Sequence, residues 1–225
     1  MKRLLVMALI VTGSCVVNLP LVVAEAPSTA IAKDAEWHPT DKTMQKIRQS
    51  CASLHAPDFG KCFVGLMPKL GATPRAVAFA KSTGNTGYLA QFSKVGPVDL
   101  AYVVYPFRAN ENEGWLLVNG DPPIIDVDAL TNLRKGQLER DPTYVLLKKK
   151  FPNVMLFPGD RSRTLPPKAI RLPTKGQRFL VKYKLLNGCH ACEPVGEAEF
   201  SFDFDPSGKF LGTQLRHVEP VTTAK

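Results

Sequence analysis

Apolar positions recur at two different periods along this chain. Between residues 40 and 82 they fall three and four apart, the spacing of one helix face. Met44, Ile47, Cys51 and Leu54 mark one helix, which Thr40 can cap. Ala56-Pro57-Asp58 breaks it, and Cys62, Phe63, Leu66 and Met67 mark a second, short helix that ends near Pro68. Thr73-Pro74 supplies an N-cap and a first-turn proline for a third helix carrying Val77 and Phe79.

From Gly87 the period changes to two. Tyr102 to Tyr105 and Trp115 to Val118 are rich in aromatic and β-branched residues, and polar Asn110-Glu111-Asn112-Glu113-Gly114 separates them. That is a hairpin signal. Ile124 to Val127 predicts a third short strand after the turn at Gly120-Asp121-Pro122-Pro123. A helical insert follows, with Leu130, Leu133 and Leu138. Asp141-Pro142 restarts a helix, and Lys148, Lys149 and Lys150 fall at its C-terminal end, where cations suit the helix dipole.

Residues 158–178 read as a proline-rich basic connector in which Arg161, Arg163, Lys168, Arg171, Lys175 and Arg178 oppose only Asp160. The last block alternates most clearly. Phe179, Val181, Tyr183 and Leu185 form one row, and Ala198, Phe200, Phe202 and Phe204 form another. Asp205-Pro206-Ser207-Gly208 then has turn chemistry at every position, and Phe210 and Leu215 belong to a returning strand.

These elements predict an α+β protein: N-terminal short helices packed on antiparallel β-hairpins and stapled by disulfides. The phenylalanine row requires a cover, for which the helices are the expectation. Residues 25–38 are small, polar and unpatterned, and predict a flexible N-terminal segment. Residues 39–225 predict one α+β domain, with a sub-boundary in 158–177 as the alternative.

The start of the chain changes the compartment. Lys2 and Arg3 precede the apolar run Leu4 to Ile10, and small residues at Val22-Val23-Ala24 suit a signal peptidase. Residues 1–24 therefore read as a secretory signal peptide, cleaved after Ala24 or alternatively after Ala26. The rival readings are a retained anchor, whose apolar stretch is diluted by Thr12, Gly13, Ser14, Asn18 and Pro20, and a lipoprotein signal modified at Cys15, for which Thr12-Gly13-Ser14 is a poor match. No other stretch is apolar enough to span a bilayer, so no transmembrane segment is expected after cleavage. The expected location is the periplasm or the exterior.

The chain carries 29 basic and 20 acidic residues, a formal charge of +9. Without Lys2 and Arg3 the balance is 27 to 20, or +7. Such a charge favours a protein partner or an anionic envelope component. Export argues against nucleic acid.

Exported cysteines pair by default. Cys51, Cys62, Cys189 and Cys192 allow three connectivities, and a helical hairpin favours Cys51 with Cys62. Cys189-His190-Ala191-Cys192 is the one motif with chemical options. A redox motif sits at a helix start, where the dipole makes a thiolate. Here Asn187-Gly188 precedes it as a turn and Glu193-Pro194-Val195-Gly196 follows without helical pattern. It reads as a strand connection pinned by a short-range disulfide, with redox activity or metal ligation by Cys189, His190 and Cys192 as alternatives. Zinc would need a fourth ligand, for which His217 is the candidate. Glu193 in place of a histidine excludes covalent haem attachment.

Asp121, Asp126 and Asp128 lack the spacing of a calcium loop and suit turns and caps. Asp203 belongs to a strand and Asp205 to a turn, with no partner carboxylate placed across a cleft. There is no nucleophile elbow, zinc-protease helix or phosphate loop. No catalytic residue and no cofactor is predicted. Arg161, Arg163, Lys168 and Arg171 are the candidates for contact with an anion or a partner.

The expected function is an exported, disulfide-stabilised, non-catalytic binding or accessory protein of the cell envelope. The alternatives are a periplasmic thiol-disulfide or metal-handling protein using the Cys-His-Ala-Cys loop, and an inhibitor of a secreted hydrolase. The positive charge counts against an inhibitor of basic lysozymes.

Overall fold

A computed structural model describes residues 30–51, 53–54, 58–108 and 110–221. The leader expected over 1–24, Cys15, Ala26 and the break at Ala56-Pro57 lie outside these residues. The protein is α+β, with two antiparallel sheets.

Three helices come first: α1 (Asp41–Cys51), α2 (Asp58–Leu66) and α3 (Pro74–Ser82). Thr40 and Thr73 cap α1 and α3 as the sequence predicts; their hydroxyls accept the N–H groups of Thr43 and Ala76. The first sheet is a meander of β1 (Tyr88–Ser93), β2 (Asp99–Val104), β3 (Glu113–Val118) and β4 (Ile124–Asp126). The helical insert is shorter than its pattern suggests, with α4 (Lys135–Leu138) and α5 (Pro142–Lys150). Asp141 caps α5 by accepting Tyr144 N–H.

The second sheet contains β5 (Val154–Pro158), β6 (Lys168–Arg171), β7 (Gln177–Asn187), β8 (Pro194–Phe204) and β9 (Phe210–Pro220). β5 pairs with residues 183–187 of β7 and β6 with residues 177–180. Both therefore line the same edge of β7, end to end. The connector expected over 158–178 thus contains a strand. The positions of β6 are mostly exposed, so its sequence carries no apolar alternation.

The phenylalanine row faces the other sheet rather than the N-terminal helices. Phe200, Phe202 and Phe204, with Phe179, Val181 and Tyr183, share one core with Leu100, Tyr102, Trp115 and Leu117. Leu138, Tyr144 and Leu147 from α4 and α5 join this core. The reason lies in β2 and β3, which are apolar on both faces. Ala101, Val103, Leu116 and Val118 point the other way, towards Phe79 of α3. The N-terminal helices occupy that face and leave the opposite one for β7 and β8. Each fully buried phenylalanine stabilises by about 1.5–3 kcal/mol.

The segment before α1 makes tertiary contacts from Ile31 onward. Ile31 exchanges two hydrogen bonds with the Asn119 side chain, at 2.7 and 2.8 Å. Trp37 N–H donates to Leu89 O at 2.9 Å, and the indole is buried beside Phe63 and Tyr88. A stretch that has no period of its own is thus placed by long-range contacts.

Candidate functional site

Both predicted disulfides form. Cys51 and Cys62 join α1 to α2 with Cα atoms 6.0 Å apart, and Cys51 is fully buried. Cys189 and Cys192 have Cα atoms 5.1 Å apart and close the turn between β7 and β8. Gly188 enters that turn at φ +89°, where a side chain would be strained. Cys192 N–H donates to Cys189 O at 3.1 Å. The second disulfide is peripheral, with Cys189 exposed and Cys192 half-buried. There is no helix start beneath it, so no dipole favours a thiolate there.

His190 projects from this loop towards the β2–β3 connection. Its Nε2 lies 3.5 Å from Glu111 Oε1, and its ring meets Phe157 edge-on at 5.7 Å. These residues wall a cavity of 400 Å³ together with Glu113, Asp160, Arg161, Lys184 and Leu186. Residues from both sheets meet there. A second cavity, of 490 Å³, lies beyond Arg161, between the 160–168 segment and residues 180–182 of β7.

Arg161 forms the partition between the two. Its Nε donates to Asp128 Oδ1 at 2.5 Å and its Nη1 to Lys182 O at 2.9 Å. The guanidinium stands 5.1 Å from the Tyr183 ring centre. Only 9% of the Arg161 side chain and 14% of the Asp128 side chain is exposed. Nη2 is buried without a hydrogen-bond partner among the described residues. Burial pushes the Asp128 carboxyl above the usual carboxylate range, and the Arg161 charge pulls it back only in part.

The four cations singled out from the sequence do not converge. Arg161 is occupied by Asp128. Arg163 reaches the first sheet, where it donates to Gln91 Oε1 at 2.7 Å and Ala90 O at 3.2 Å. Lys168 and Arg171 are exposed on β6. Three positions apart on a strand, they point to opposite faces. Arg163 thus ties the connector to β1, and Arg161 ties it to the segment after β4 and to β7.

For metal, the cysteines of the loop are paired with each other and so offer no thiolate. His217 faces Glu199 and Glu219 at 3.7 and 3.5 Å. Among the described residues no group of three or more His, Cys, Asp and Glu is arranged to hold an ion. Asp203 makes a bidentate pair with Arg178, and Asp205 accepts from the Ser207 and Lys209 N–H groups as a turn residue. Sequence reasoning missed Glu111 and Glu113 as cavity walls, because a polar hairpin tip looks like any solvated loop.

The fold and the site together define a two-sheet α+β protein with two disulfides and a polar cavity at the stapled end. Comparison of the chain with protein-family models, with curated proteins and with solved structures finds no match.

Proposed function

We propose that this chain is an exported, disulfide-stapled binding protein of the cell envelope, non-catalytic, resident in the periplasm or outside the cell. The observation that carries this reading is the cavity at the Cys189–Cys192 end. Its wall carries charges of both signs from Glu111, Glu113, Asp160, Arg161 and Lys184, on a frame held rigid by strands and a cross-linked turn. Preorganised polar walls suit recognition of a polar group from a partner. The basic leader and apolar run supply the argument for export, and the stapled cysteines agree with an oxidising compartment.

The test places a photo-crosslinking residue at His190 or Glu111, and at Lys168 as a control, in cells that export the chain. A discrete adduct from the first two positions and none from Lys168 supports the reading. Equal adducts from all three, or retention of the chain in the cytosol with free thiols, removes it.

A second reading is thiol-disulfide exchange at Cys189–Cys192, favoured by the exposure of Cys189. An incoming thiolate would attack one sulfur, release the other as a thiolate and form a mixed disulfide. In the reverse direction, with Cys192 replaced by serine, the Cys189 thiolate attacks a partner's disulfide, releases one partner sulfur as a thiolate and keeps the mixed disulfide, since no second cysteine is present to resolve it. Failure to trap any adduct counts against this reading and leaves the binding reading standing.

A further inference from the structure

Helix α5 presents a face that nothing in the described chain covers. Tyr144 and Leu147 turn inward to the core beneath β7–β9, and Phe151 follows them at the helix end. At 100° per residue the opposite side carries Val145, Leu146 and Lys149, flanked by Lys148 and Lys150. Leu146 is 65% exposed and Val145 38%. All three lysines are exposed. The ammonium groups of Lys148 and Lys150 lie 6.0 and 5.2 Å from the Tyr144 and Phe151 rings, so their stems run along the aromatic surface. A shallow depression of 230 Å³ opens between Glu139, Tyr144, Val145, Lys148 and Lys149. The helix dipole accounts for the lysines, but not for a leucine held out among them.

We propose that α5 docks the protein on an anionic lipid bilayer. The Lys148–Lys150 ammonium groups meet lipid phosphates, and Leu146 and Val145 enter the boundary between headgroups and acyl chains. Charge complementarity argues for this occupant. Three consecutive cations, on a chain whose charge without Lys2 and Arg3 is +7, are drawn to a negative surface, and each basic residue near such a surface adds to the attraction. Apolar side chains within the same helical face then add what a purely polar surface would not use. Glu139 is the carboxylate on the depression and opposes the contact. This inference deepens the envelope reading above by naming its partner. It rests on that reading for its place in the cell, whereas the contact itself is a property of the folded chain.

The experiment is co-sedimentation of the chain, as isolated from the exporting cells, with phosphatidylglycerol/phosphatidylcholine vesicles and with phosphatidylcholine vesicles. Every variant carries the wild-type N-terminus, so any contribution from residues 1–24 cancels. Binding to the anionic vesicles alone, weakened by about 0.5 M salt, is expected. Combined Lys148→Gln, Lys149→Gln and Lys150→Gln lowers partitioning by about tenfold or more. Leu146→Gln, which leaves the charge unchanged, lowers it by about fivefold. Glu139→Gln raises it, and combined Lys168→Gln and Arg171→Gln on the second sheet changes it less than about twofold. These residues are exposed, so unchanged circular dichroism and melting confirm that each variant folds. No anionic-vesicle binding overturns the proposal, as do equal losses in the α5 and β6 variants. A Leu146→Gln variant that binds like wild type also overturns it, since a diffuse charge effect would suffice and this exchange leaves the charge unchanged. Cytosolic retention of the chain would remove the envelope reading without altering these vesicle results.

Discussion

The side-chain amide of Gln177 clasps the backbone of Val98. Gln177 Oε1 accepts Val98 N–H at 3.0 Å and Gln177 Nε2 donates to Val98 O at 3.0 Å, joining the second sheet to the first. Both residues are buried. Gln177→Ala leaves a buried N–H and a buried carbonyl unpaired, with an expected loss of about 2–4 kcal/mol in urea unfolding. A Cβ on Gly96 would stand 2.9 Å from Gln177 Oε1, so Gly96→Ala disturbs the same clasp. Gly65 of α2 has open space at its Cβ, and Gly65→Ala raises stability by about 0.5–1 kcal/mol.

Arg161 and Asp128 form an enclosed pair, so removing one partner strands the other. Arg161→Met alone is expected to cost about 3–5 kcal/mol. The double variant with Asp128→Leu recovers most of the loss, because no buried charge then remains. Urea unfolding of the two single variants and the double variant measures the coupling. Strict additivity would show that the pair is solvated and that the connector is not tied down there.

All five tyrosines hold their protons more tightly than a free phenol, whose value is 10.0. Burial is the leading cause in each. Tyr105 is pushed up to about 12, with Asp126 adding to the effect and Arg108 opposing it. The folded phenols keep protons that the unfolded chain loses, so their contribution to stability is whole below 10.0 and drains as pH rises through the folded values. Phenolate absorbance should therefore lag in native protein relative to a urea-unfolded sample, and unfolding by urea should ease above pH about 10. A native titration that overlays the unfolded one would refute this.

The disulfides should open in order. Cys189 is exposed, whereas Cys51 is fully buried between helices. Mild reductant followed by alkylation and mass analysis should label Cys189 and Cys192 first, with circular dichroism unchanged. Cys51→Ser with Cys62→Ser is expected to cost about 2–3 kcal/mol by loop-closure entropy, and the pair Cys189→Ser with Cys192→Ser less, since its loop is shorter. Early labelling of Cys51 would contradict the buried position of that link.

The helix caps at Thr40, Thr73 and Asp141, the alternating rows of β7 and β8 and both cysteine pairings were legible in the residues, because each depends on local spacing and turn chemistry. So was the fold class. The pairing of Arg161 with Asp128 was not legible, since an ion pair 33 positions apart in the chain leaves no local trace. The same holds for β6, whose register comes from β7 and not from its own pattern, and for Trp37, held by β1. A strand row of phenylalanines declares that it must be covered, but the covering surface is a global choice. Here the first sheet has two apolar faces and the N-terminal helices take one of them, so the phenylalanines meet the other. The cavity below His190 likewise exists only because two hairpin ends from different sheets arrive together. Local sequence sets backbone preference and the sidedness of each element; long-range burial and charge pairing decide which sides meet.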